Sequence, residues 1–143
     1  MQISSLLLPQ TIKKNLIFIY SVNIMMSKEE LEKALKSFTG TQHYYEHFTG
    51  LLYTDGVKFL AENAGAYWLI DAIASWQVYP SVRAIRFQIW ELHVNPDRSA
   101  ELTMREDIDK PIIIRQRIPF TDFPLDHIRL YLADNVLMLP SEY

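Results

Sequence analysis

Ile85-Arg86-Phe87-Gln88-Ile89-Trp90, then Asn95-Pro96-Asp97-Arg98, then Ala100-Glu101-Leu102-Thr103-Met104-Arg105, is the stretch on which the fold turns. Its period is two. Ile85, Phe87 and Ile89 fall on one side of an extended chain and Arg86, Gln88 and Trp90 on the other, because successive side chains of a strand point to opposite faces. Asn95 to Arg98 carry turn chemistry. Beyond them Ala100, Leu102 and Met104 alternate with Glu101, Thr103 and Arg105. A third run, Ile112 to Ile118, places Arg115 and Arg117 on one face. Together these predict an antiparallel meander with one buried face.

Toward the N-terminus the period changes. Ser27-Lys28-Glu29-Glu30 has the form of a capping box, and Leu31, Ala34, Leu35 and Phe38 follow at helical spacing until Gly40, which predicts a first helix over 27–38. Thr39 to Tyr53 reads as a polar and aromatic connector. Thr54-Asp55-Gly56 opens a second helix with Val57, Leu60, Ala61 and Ala64 on one side, and Gly65 breaks it. Tyr67 to Trp76 is apolar nearly all round, the pattern of a central, buried helix. Toward the C-terminus, Thr121-Asp122-Phe123-Pro124 predicts a last helix with Leu125, Ile128, Tyr131 and Leu132 facing inward, Pro124 sitting near the first helical position. Val136 to Leu139 adds a short strand. The fold class expected is α+β: N-terminal helices packed on a three- to four-stranded antiparallel meander, with a C-terminal helix.

The chain has 143 residues, 49% of them hydrophobic and 22% charged. That is enough for one packed core, expected over 27–143. Residues 1–26 read as an N-terminal extension, disordered or upstream of the natural start at Met25 or Met26, with a packed extra strand or an export signal as alternatives. Their apolar run, Leu16 to Val22, is too short to span a bilayer as a helix and meets no small-x-small cleavage site. A net charge of −3 gives no general pull toward phosphate backbones or anionic lipid, which argues against nucleic acid and membranes as partners. The absence of cysteine excludes thiolate nucleophiles, disulfides and thiolate metal sites, and it suits a cytoplasmic protein.

Several residues invite chemistry, and each has a plainer explanation. His43-x-x-Glu46-His47 has the form of the inverted zinc-protease motif, but its flanks make a weak helix and no third ligand is evident. Incidental surface histidines account for it better, with a structural or binding role as the remaining alternative. Asp71 lies in the most apolar helix, where an unpaired buried carboxylate would be costly. It needs a partner, Tyr67, Ser75 or an arginine, and is either a structural buried group or a site carboxylate. Asp55 and Asp122 each follow a threonine and read as helix-capping residues. Asp122, Asp126 and His127 would form an acid/base cluster, with no nucleophile beside them. Arg86, Trp90, Arg115 and Arg117 read as sharing one sheet face, which would offer cation and aromatic surface to an acidic partner or to single-stranded nucleic acid. Glu91, Glu101, Glu106, Asp107 and Asp109 balance them, so a charged solvent face is the alternative.

Three stretches carry a resemblance: Tyr53-Thr54-Asp55-Gly56-Val57-Lys58-Phe59-Leu60-Ala61, Ala66-Tyr67-Trp68-Leu69-Ile70-Asp71-Ala72-Ile73, and Thr121-Asp122-Phe123-Pro124 with the ending Leu139-Pro140-Ser141-Glu142-Tyr143. Over roughly residues 28–143 the chain resembles a family of small bacterial, phage and plasmid proteins that has no assigned activity. The resemblance implies a bacterial or mobile-element origin and no mechanism. The function expected is therefore a non-enzymatic binding or accessory protein that recognises a protein partner, without metal or cofactor. Its binding candidates are Tyr67, Trp68, Asp71, Arg86, Trp90, Arg115 and Arg117. The alternative is a small hydrolase or metal-dependent enzyme using Asp71, His43 and His47, or the group Asp122, Asp126 and His127.

Overall fold

A computed structural model describes residues 26–143. The expectations placed on residues 1–25 lie outside them. Met26, counted with the extension by sequence, is described and packs against the core.

The elements in chain order are α1 (Lys28–Lys36), β1 (Tyr44–Glu46), β2 (Leu52–Thr54), α2 (Asp55–Ala64), α3 (Tyr67–Trp76), α4 (Pro80–Arg83), β3 (Phe87–Val94), β4 (Ala100–Arg105), β5 (Ile114–Ile118), β6 (His127–Ala133), β7 (Val136–Met138) and a final 3-10 turn (Pro140–Glu142). The class is α+β as expected, but the sheet has seven strands in the order β1-β2-β7-β6-β3-β4-β5. The meander is β3, β4 and β5. The polar connector turns out to contain the β1–β2 hairpin, and β2 joins β7 in parallel while every other neighbouring pair is antiparallel.

No C-terminal helix forms. Thr121, Phe123 and Leu125 are buried in alternation, and His127 to Ala133 runs as a strand between β3 and β7. The spacing of Leu125, Ile128 and Leu132 fits a helix, but Leu130 and Leu132, both buried, also fit period two, and pairing on both sides decides between them. Thr121-Asp122-Phe123-Pro124 is a pinned approach to that strand: the guanidinium of Arg98 donates to the carbonyls of Thr121 and Phe123.

One side of the sheet takes the helices. Trp90, Leu92, Leu102, Met104, Ile114, Leu130 and Leu137 meet Val57, Leu60 and Ala61 of α2 and Leu69, Ile70 and Ile73 of α3 in a single core. The Trp76 indole N–H donates to Gln116 at 2.7 Å and the Gln77 amide to Gln88 at 2.9 Å, which lays α3 across the meander. α3 is not apolar all round in effect. Tyr67, Asp71 and Ser75 form an exposed stripe one turn apart, opposite Leu69, Ile70 and Ile73.

The C-terminal turn meets the start of α2. Thr54 caps the helix, its hydroxyl oxygen accepting from the Val57 N–H and its proton going to Glu142 Oε1 at 2.6 Å. Glu142 also accepts from the N–H groups of Gly56 (3.0 Å) and Leu139 (2.9 Å). A carboxylate at a helix N-terminus is favoured by the exposed N–H groups there. The approach is so close that a Cβ on Gly56 would lie 2.6 Å from both Glu142 Oε1 and Leu139 Cδ1. Two of the stretches that carry the family resemblance are thus one contact in space.

Asp55 is not the cap. Its Oδ2 accepts from the backbone N–H of Gln42 at 2.9 Å and of His43 at 3.3 Å, and its Oδ1 from the Tyr45 hydroxyl at 3.0 Å. Led by the Gln42 N–H, these bonds outweigh partial desolvation and lower its pKa to about 2. A depressed carboxylate contributes stability that is present above its unfolded value near 3.8 and is lost as pH falls toward about 2. Across that window the unfolded chain binds the extra proton. Asp55→Asn is therefore expected to flatten the acid limb of the stability curve, measured as urea midpoints from pH 5 downward; an acid limb as steep as the parent's would show that the Asp55 bonds do not carry it.

Candidate functional site

Among the described residues, no helix lies on the other face of the sheet. β-pairing puts Glu91, His93, Arg105, Glu101, Arg115, Arg117, His127 and Arg129 on it, since Glu91 pairs with Arg129 and Thr103, Thr103 with Arg115, Glu101 with Arg117, and His93 with both His127 and Glu101. Four arginines against two glutamates give this patch a formal +2 with histidines neutral, on a chain whose net charge is −3.

Glu91 is its hub and is 6% exposed. Its Oε2 meets His127 Nε2 at 2.9 Å and the Arg129 guanidinium at 3.1 Å, while Arg105 lies 3.7 Å from Oε1. Burial alone would push the Glu91 pKa up, but the His127 and Arg129 hydrogen bonds and charges outweigh it and hold the group below the ordinary carboxylate range. The contact fixes a tautomer when His127 is neutral: Nε2 carries the proton that Glu91 accepts. The His93 ring lies over that of His127, centroids 4.5 Å apart and planes inclined by 31°. Desolvation, and then the charge of His127, lower the pKa of His93.

The β5 end of this face is the sheet edge. Arg115 pairs with Glu101 at 3.0 Å, whereas Arg117 has no ion pair among the described residues. Ile113 and Phe120, flanking the strand, are exposed. At the opposite end Phe87, Tyr131 and Tyr143 pack on one another, with centroids 5.0 to 5.7 Å apart and ring planes at 53° to 85°. Beside β6, where β7 stops short, a cleft of about 440 Å³ runs between Leu35, Lys36, Ile128, Leu139 and Pro140, with His127 and Arg129 at its rim.

The residues singled out by sequence are distributed as follows. Arg115 and Arg117 share the open face. Trp90 does not: it is 1% exposed in the core on the opposite side, its indole N–H donating to Gln88 at 2.9 Å. The period-two alternation is present, with the inward side opposite to that expected, because Ile85, Phe87 and Ile89 suggest a core face and the buried Gln88 looks like a solvent residue. Arg86 lies just before β3 and pairs with Asp134 at 2.9 Å, away from β5. Tyr67 is exposed and Trp68 half-buried on the helical side.

Asp71 is exposed and not buried, and its partner is histidine, not tyrosine or arginine. His47 Nε2 lies 2.7 Å from Asp71 Oδ1, and His47 Nδ1 lies 2.8 Å from the Thr49 hydroxyl and 3.2 Å from its backbone nitrogen. Nδ1 therefore accepts and Nε2 donates, an ordered Thr-His-Asp relay. With Asp71 open to water and the Nδ1 lone pair shared with a main-chain N–H two residues on, the relay ties the turn after β1 to α3. His43 turns instead to Asp55, 3.4 Å away. The two histidines are not one helical turn apart, since β1 separates them, and four residues of strand span about 13 Å. The inverted zinc-protease reading fails on that geometry. Asp122, Asp126 and His127 do not converge either: Asp126 takes Lys28 at 2.9 Å, His127 takes Glu91, and Asp122 is exposed.

Glu91, His93, Arg105 and Arg129 were not site candidates by sequence. The signal available was Glu91-x-His93, two polar groups on one face of a strand.

Among the described residues no helix is long and apolar enough to cross a membrane. A family model described as a family of unknown function, DUF6876, matches residues 29–143. No curated protein and no solved structure matches the chain.

Proposed function

Since the chain belongs to the DUF6876 family, which lends it no activity, we propose from its geometry that it is a binding module whose open sheet face and β5 edge take an acidic, extended segment of a protein partner. The observation that carries this reading is the edge strand itself. Among the described residues β5 has a neighbour on one side only, it presents Arg115 and Arg117 on the open face, and exposed Ile113 and Phe120 stand beside it. An extended segment adds to such an edge through main-chain hydrogen bonds, and its alternate side chains then meet the arginines. Carboxylates answer guanidinium groups in charge and in fork geometry.

A protein segment suits this face better than single-stranded nucleic acid. Phe87, Tyr131 and Tyr143 are turned into one another and not laid out as separate stacking platforms, which sequence-tolerant strand binding uses. Glu91 and Glu101 also interrupt any continuous track for a phosphate backbone.

Fluorescence anisotropy of a labelled glutamate-rich peptide with the full chain tests the reading. Binding should weaken by about tenfold or more in Arg115→Glu with Arg117→Glu, and weaken with added salt in the parent. Circular dichroism should show an unchanged fold, since both side chains are exposed. Equal affinity in parent and variant would remove the proposal, and a short oligothymidylate that binds the parent more tightly than the peptide would replace it with the nucleic-acid reading.

A further inference from the structure

Within the open face, Glu91, His93 and His127 each offer a ligand atom, and these atoms lie within 4.8 Å of one another. The arrangement follows from register. His93 and His127 are direct partners across β3 and β6, and Glu91 precedes His93 by two residues on the same face. We propose that these three side chains form a binding site for a borderline divalent transition metal of the zinc, cobalt or nickel kind.

The donor set selects the metal class. Two imidazoles and one carboxylate suit zinc and its neighbours, whereas calcium and magnesium need a shell of oxygen donors that this face does not supply. Ligands bound at about 2.0–2.2 Å to a tetrahedral metal stand roughly 3.4 Å apart, so the cluster has to contract. The required movement falls mainly on exposed His93, because Glu91 and His127 are already 2.9 Å apart. The metal replaces the proton now shared between them. Three protein ligands on a solvent-facing sheet leave at least one coordination position open.

The surrounding charges act in both directions. Arg129, 3.1 Å from Glu91 Oε2, and Arg105, 3.7 Å from Oε1, hold the carboxylate in place as outer-shell partners do, yet their charge opposes a dication. Glu101, directly across from His93, partly compensates, and Arg117 beyond it does not. The site is therefore weaker than a closed structural zinc centre and depends on both imidazoles. This inference stands apart from the peptide-binding reading, because a metal alone probes it.

The experiment is a titration of the chelator-treated full chain with Co²⁺, followed by visible d–d absorption, with Zn²⁺ then added as a competitor. The expected result is saturation at one equivalent and bleaching by Zn²⁺. His93→Ala and His127→Ala should each weaken Co²⁺ binding by about tenfold or more, and His43→Ala, on the far side of the fold, should leave it unchanged. The chain has four histidines in all, so these variants locate the site. No absorption change in the parent, or binding that survives both His93→Ala and His127→Ala, would overturn the inference.

Discussion

Gly56→Ala is expected to destabilise the protein by about 2–3 kcal/mol, although alanine is the better helix former by up to about 1 kcal/mol. The sign is decided by what the new methyl group meets. It would sit 2.6 Å from Glu142 Oε1 and from Leu139 Cδ1, too close for either atom to stay. Glu142 must then swing away, leaving the hydroxyl of buried Thr54 and the N–H groups of Gly56 and Leu139 without their acceptor. Hydrogen bonds to a charged group contribute about 1.5–3 kcal/mol, and groups stripped of a partner add a desolvation cost. Urea denaturation of Gly56→Ala, Glu142→Ala and the pair checks the cause. With Glu142 already truncated, most of the cost of the alanine should disappear, so the two effects should fall well short of additive. Full additivity would mean that the cost of Gly56→Ala does not pass through Glu142.

Trp90→Ala should cost more, about 3–5 kcal/mol, the range for removing a large aromatic side chain from a packed interior. Trp90 is 1% exposed and sits between Leu130 of β6 and Met104 of β4 on the helix-covered side. It also donates its indole N–H to Gln88, whose amide in turn donates to the carbonyls of Val82 and Ile85. The substitution thus opens a cavity and removes one of the two donors to Gln88 Oε1 in a buried network. Trp90→Phe keeps most of the volume and should cost less, about 1–2 kcal/mol. Thermal and urea unfolding would measure both. A Trp90→Ala protein as stable as the parent would be incompatible with a core position for this residue.

These two residues show where the sequence was legible. α1, α2 and α3 and the meander announce themselves by period, and the Ser27 capping box forms as read, with Glu30 returning to the Ser27 N–H. The inward side of β3 is not legible locally, because burial of Gln88 depends on Gln77 at the end of α3, Val82 in α4 and Ile85 just after it. β6 was misread because its leucines satisfy two periods at once. The local signal for the strand is a turn: Asp134 and Asn135, both in the left-handed conformation at φ 48° and 70°, make the two-residue hairpin that joins β6 to β7. Read as a hairpin, that dipeptide requires a strand before it. At the candidate site, Arg115 and Arg117 were legible as a pair, while Glu91, His93 and His127 come together only through the β3–β6 register. His47 and Asp71 likewise meet through tertiary packing, 24 positions apart.

The β2–β7 seam has a bearing on the order of assembly. Leu52 faces Val136 there, a separation of 84 positions (136 − 52), while the meander and the β6–β7 hairpin close through short connections. Entropy favours the short closures first. On that ground the β1–β2 ribbon is expected to join last, at Asn135, whose carbonyl accepts the Leu52 N–H and whose amide donates to the Gly50 carbonyl. An edge ribbon held by so few hydrogen bonds is also the boundary at which the native sheet is expected to open first.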